Sequence, residues 1–114
     1  MKAKRQNVGA FWSAVVFLIA FLMCAFLTKA DTAEMTYKAK CAACHGADGK
    51  GATPAGKAMG VNDFGSDTVQ KMSDADLTQA ISTGKGKMPG YAKTLKDSEI
   101  KDLVAYVREL GKKK

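Results

Sequence analysis

CAACHGADGKG, residues 41–51, is the stretch on which the reading of the whole chain turns. Two alanines separate Cys41 from Cys44, and His45 follows at once. Residues three apart lie on one face of a helix, so a single turn would present both thiols together, with the imidazole beside them. His45 is the only histidine of the 114 residues, and Cys24 is the only other cysteine.

Four chemistries use closely paired cysteines. A local disulfide would close a very small loop and stabilise little beyond it. Thiol–disulfide exchange needs a β-α-β domain longer than this chain offers. Zinc needs a second ligand pair, and none follows. The fourth is covalent haem, with Cys41 and Cys44 forming thioethers to the porphyrin vinyl groups and His45 standing beneath the iron as an axial ligand. A single haem c is therefore the expected cofactor. A second axial ligand should lie downstream, and Met59, Met72 and Met88 are the candidates. Met72 falls just before a helix start, and Met59 comes only 14 residues after His45. Met88 lies in the glycine-rich, non-periodic stretch TGKGKMPGY (83–91), where Pro89 stiffens the backbone directly after it. Met88 is the expected ligand, with Met59 second.

The N-terminus has a different character. Lys2, Lys4 and Arg5 precede an uncharged, largely apolar run from Phe11 to Leu27, and small residues follow at Thr28 and Ala30. This order is that of an export signal, so residues 1–30 are expected to be a signal peptide cleaved after Ala30, or else a retained membrane anchor. Met23 is too bulky for a lipid-modification signal at Cys24. Residues 31–114 then form the one domain, with 14 Lys+Arg against 11 Asp+Glu, a formal charge of +3 compared with +7 for the full chain. That balance is too small to argue for nucleic acid as a partner and suits transient docking with acidic protein surfaces. An 84-residue domain buries little surface of its own and needs a staple, which the haem supplies.

The remaining segments read as helices, with no convincing strand. Asp31 is placed to cap a first helix, with Glu34 as its capping-box partner, running through Tyr37 to the cysteines. Ser73 caps a second, with Asp74 and Asp76 in its first turn, Leu77 and Ile81 on one face and Gly84 at its end. The last opens at Asp97 or Ser98 and sets Ile100, Leu103, Val104 and Val107 at i, i+3, i+4 and i+7. Gly111 is the expected stop. The stretch GADGKGATPAGKAMGVNDFGSD (46–67) reads as a long loop wrapped around a porphyrin edge.

With these motifs in place, residues 31–110 resemble a small bacterial monohaem class I cytochrome c. The resemblance implies an all-α fold of three to four helices around one covalently attached haem. Tyr37 matches an aromatic residue that packs on the C-terminal helix in that family. Ala33 stands where glycine is frequent, which implies a slightly wider helix crossing. LVAYV (103–107) resembles a Leu-x-x-Tyr signature at Leu103 and Tyr106, and GKMPGY (86–91) resembles the axial-methionine loop, which supports Met88. The family also implies that a proline carbonyl, here that of Pro54, accepts the ring N–H of His45. Tyr37, Pro54 and Leu103 are thus expected in the haem pocket or its packing.

Ligation by His45 and Met88 would fill both iron faces and leave no position for a substrate. The expected function is a monomeric single-electron carrier, not an enzyme. It would work in the periplasm or on the exterior face of the cytoplasmic membrane, tethered there if residues 11–27 are retained. Lys57, Lys85 and Lys87 are candidates for a docking rim. A labile Met88 would instead make the protein a gas sensor or weak peroxidase, and permanent association would make it an electron-transfer subunit of a dehydrogenase.

Overall fold

The computed structural model describes residues 8–113; Lys2, Lys4, Arg5 and Lys114 lie outside them. Six helices follow in order: α1 (Val8–Lys40), α2 (Ala42–His45), α3 (Pro54–Met59), α4 (Asp67–Gln70), α5 (Asp74–Thr83) and α6 (Asp97–Lys112). Among the described residues the only β-type pairing is an isolated antiparallel bridge between Lys85 and Met88. The fold is all-α.

The longest element departs from expectation. No glycine or proline interrupts the chain between Gly9 and Gly46, and α1 passes through Asp31 without a break. Amides at 31–34 find acceptors in the preceding turn, so the Asp31 cap is not needed in the intact chain. The N-terminal half of α1 is apolar on every side, with Phe11, Phe17 and Phe21 all largely exposed. Its Phe11–Leu27 run would span about 26 Å, close to a hydrocarbon core of about 30 Å. Gly9–Lys40 is thus long and apolar enough to cross a membrane, by length and composition.

The C-terminal end of α1 is a different kind of surface. Tyr37 is 1% exposed and packs edgewise on Phe64 and against Tyr106, with ring centroids 5.2 Å apart in the second pair. Its hydroxyl donates to the Gly46 carbonyl at 2.6 Å. Helix α6 packs on both α1 and α5. Its buried residues are Ile100, Leu103, Val104, Val107, Leu110 and Gly111, which continue the 3.6-residue stripe seen in the sequence. α5 begins as expected, Ser73 accepting from the Asp76 amide while Asp76 accepts from the Ser73 amide, and it ends at Gly84.

Gly111 does not stop α6, which continues to Lys112. The residue is small for a packing reason. A Cβ there would stand 2.7 Å from the Phe64 carbonyl oxygen and collide with the Gln70 amide. That amide donates to the same carbonyl at 2.6 Å, so α6 and the 64–70 segment meet backbone to backbone.

The expected long loop is also more ordered than its composition implies. Thr53 caps α3, with Pro54 in the first turn where its missing N–H costs nothing, and Ser66 caps α4. Arg108 of α6 then ties the α4–α5 junction together. It donates to the carbonyls of Val69, Gln70 and Met72 and pairs with Asp74 at 3.0 Å. The Val69 carbonyl also accepts from the Met72 amide, and the guanidinium adds charge-assisted donors to carbonyls where α4 ends and the connection to α5 begins.

Candidate functional site

The cysteine pair sits where α1 gives way to α2. Cys41 donates its amide to the Tyr37 carbonyl at 2.8 Å and accepts from the His45 amide at 3.0 Å, which closes a single turn carrying both thiols and the imidazole. Both thiols are free. Burial raises the Cys41 pKa, opposed by neighbouring Lys40, so the group is held as a thiol. The Cys44 carbonyl accepts from the Thr53 hydroxyl at 2.9 Å, which anchors α3 behind the turn.

His45 is partly buried, and its ring stacks on Phe64 with centroids 4.8 Å apart. Desolvation lowers its pKa, so the imidazole is neutral near pH 7. Its Nδ1 is buried without a hydrogen-bond partner. Pro54 does not supply one. Its position opening α3 leaves it exposed, and it is absent from the cavity wall.

A cavity of about 480 Å³ lies in front of this turn. Cys41, Cys44 and His45 line one side, and Met88 with Pro89 and Tyr91 lines another. Leu103 and Val107 of α6 and Leu77 and Ile81 of α5 supply apolar walls. Tyr37 and Leu103 also line the cavity. Met59 and Met72 also reach the cavity, Met59 remaining 39% exposed and Met72 partly buried. The methionine lining is thus broader than one residue. Lys85 and Lys87 reach the cavity, whereas Lys57 does not, and Lys40 takes its place.

Met88 is held by a tight reversal. Lys85 and Met88 exchange both backbone hydrogen bonds, at 3.1 and 3.0 Å, around Gly86. The hairpin packs on the end of α5 through Gly84, whose φ of 80° suits glycine and whose Cβ would stand 2.5 Å from the Met88 carbonyl oxygen. The reversal continues as Tyr91 and Ala92 donate to the carbonyls of Ile81 and Ser82.

Phe64 and Tyr91 are site residues that the sequence reading did not single out. Phe64 lies in a stretch of no clear period, and only its pairing with the buried Tyr37 and His45 explains it. Tyr91 was quoted within the methionine loop without a role of its own; its hydroxyl crosses to the Lys40 carbonyl at 3.0 Å.

These residues fit a haem. Two free thiols and a neutral imidazole with an orphaned ring nitrogen converge on an apolar cavity, which also offers thioether sulfur. Such a set of nitrogen and soft sulfur donors suits haem iron and thioether attachment.

Comparison with known proteins agrees. Residues 28–107 match the family described as cytochrome c oxidase, cbb3-type, subunit III. The cbb3-type cytochrome c oxidase subunit CcoP of Azospirillum brasilense is 36% identical over 84 residues, covering 72% of this chain. The chain spans only 28% of that relative's length. Cytochrome c6 of Pyropia yezoensis is 32% identical over 97 residues, covering 85% of this chain and 86% of the relative. Among solved structures, the KustC0563 c-type cytochrome superposes with a TM-score of 0.63 at 32% identity, covering 68% of this chain and 94% of that one. The chain accordingly belongs to the small class I c-type cytochromes, with a covalently bound haem c.

Proposed function

We propose that the protein is an exported carrier of single electrons in which Cys41 and Cys44 hold the haem and His45 and Met88 are the axial ligands. The observation that carries this reading is the convergence of all four residues on one apolar cavity. Haem c, when bound, supplies a one-electron ferric/ferrous couple. The protein's own contributions are distinct. His45 offers a neutral nitrogen, because burial disfavours its protonated form. Met88 offers a thioether, a donor that favours the ferrous state. Leu77, Ile81, Leu103 and Val107 keep water from the site. Two protein ligands leave no iron position for a substrate, so we assign no catalytic residue and read the chain as a carrier, not an enzyme.

Lys40, Lys85 and Lys87 border the cavity and give its mouth positive charge, which suits redox partners with acidic docking surfaces. The working location is the periplasm or the exterior face of the cytoplasmic membrane, reached through residues 1–30 as a signal or held there by residues 11–27. A second reading has one observation in its favour. The match to oxidase subunits, with an apolar helix running unbroken into the haem-binding turn, suits an electron-transfer component kept in a membrane complex. Washed membranes discriminate the two: release of the cytochrome by salt or osmotic shock supports the shuttle, and co-purification with an oxidase in detergent supports the subunit.

Met88→Ala tests the ligand assignment. The weak long-wavelength ferric band of iron–thioether ligation should vanish, the potential should fall, and carbon monoxide should bind the reduced protein. Met59→Ala should do none of these. If Met59→Ala has these effects and Met88→Ala does not, the assignment is wrong.

A further inference from the structure

Tyr91 joins two walls that nothing else bridges in the same way. Backbone hydrogen bonds hold Met88 to Lys85 within its own hairpin, and hold Tyr91 and Ala92 to the end of α5. All of these ties lie on the methionine side. The Tyr91 side chain instead crosses the cavity edge, and its hydroxyl donates to the carbonyl of Lys40, the last residue of α1 and the neighbour of Cys41. Among the described residues this is the one hydrogen bond between 84–95 and the 37–60 segment that carries the cysteines and His45. Its acceptor belongs to the end carbonyls that a helix leaves without intrahelical partners, so the bond also completes α1.

We propose that Tyr91 is a positioning residue that fixes Met88 against the haem-attachment turn through its hydrogen bond to Lys40. The inference rests on Met88 being an axial ligand. It follows that the bound thioether owes part of its persistence to a phenol three residues away. Removing the hydroxyl frees the hairpin to swing as a unit from the end of α5, while leaving the ring in the cavity wall and every backbone bond in place. The thioether then yields more readily to a competing ligand.

The test titrates imidazole into ferric holoprotein of the wild type, Tyr91→Phe, Met88→Ala and Ser73→Ala, following the shift of the main haem absorption band as imidazole binds and recording thermal melts beside it. Ser73→Ala removes the cap at the far end of α5 and serves as a control for general destabilisation. Tyr91→Phe should raise apparent imidazole affinity by about twofold to tenfold, the range set by one neutral hydrogen bond. Met88→Ala should raise it far more, and Ser73→Ala should leave it unchanged. Unchanged affinity in Tyr91→Phe beside a large rise in Met88→Ala overturns the role of Tyr91 and leaves the ligand assignment standing. An equal rise in Ser73→Ala and Tyr91→Phe overturns it too, by showing that lost stability alone loosens the site. No change in Met88→Ala removes the ligand assignment and this inference with it.

Discussion

The two sides of the cavity are built on opposite principles. On one, Cys41, Cys44 and His45 lie within five consecutive positions, and a single turn hydrogen-bonded to Tyr37 orients all three. On the other, Met88 stands alone on a hairpin positioned by Gly84, the end of α5 and Tyr91. The first side is local in sequence and, with the proposed thioethers, would be covalent. The second is assembled from distant segments and held by hydrogen bonds and packing. Perturbing the first should therefore decide whether haem is retained, and perturbing the second should decide how the iron behaves.

The largest expected effect breaks the first side. Cys41→Ser with Cys44→Ser should abolish covalent haem, and the chain should lose much of its helical signal with it, because the porphyrin fills the interior of a very small domain. Circular dichroism with haem staining under denaturing conditions checks this. Native helix content in the haem-free double variant would show that the cavity supports itself.

Gly84→Ala should come next, acting on the second side alone. A methyl group at 84 faces both a positive φ and the Met88 carbonyl oxygen 2.5 Å away, so the hairpin must shift. The backbone conformation, φ 80° with ψ 170°, is almost confined to glycine and by itself costs about 1–3 kcal/mol. Covalent haem should be retained, while the iron–thioether band weakens and the potential falls. An unchanged spectrum would mean that the hairpin geometry does not govern the ligand.

Tyr37→Phe tests the orienting contact of the first side. It leaves the Gly46 carbonyl, which sits among buried residues, without its donor, so thermal or denaturant unfolding should report a loss of about 1–3 kcal/mol. The spectrum should stay unchanged, because the covalent links keep His45 in place.

The smallest effect concerns α5, which carries the second side. The hydrogen bonds from Ser73 lower the Asp76 pKa below its ordinary value. A lowered carboxylate pKa contributes stability that is complete above the unfolded value and fades as pH falls through the folded one. Stability profiles of wild type and Ser73→Ala should thus converge as the pH drops below about 4. Parallel profiles throughout would show that the capping carboxylate contributes nothing.

What could be read from the sequence follows the same division. The placing of Cys41, Cys44 and His45 on one turn was legible because it depends on spacing alone. The Ser73 cap and the α6 stripe from Ile100 to Val107 were legible because local rules set them. Gly111 was misread as a stop because its role lies in Phe64 and Gln70, over 40 residues away in the chain. Asp31 starts no helix in the intact chain, because helical residues precede it. The short helices α3 and α4 were missed for want of length, since six and four residues show no period. Phe64 and Tyr91 entered the site through tertiary contacts that no local pattern announces.

The most direct test of the account is the mass of the wild-type protein, purified from the exported fraction and extracted with acidified organic solvent before measurement. The account predicts a polypeptide that keeps the mass of one haem through the extraction, with the added mass mapping to a peptide containing Cys41, Cys44 and His45. A bare polypeptide mass, with all haem in the solvent phase, would contradict it.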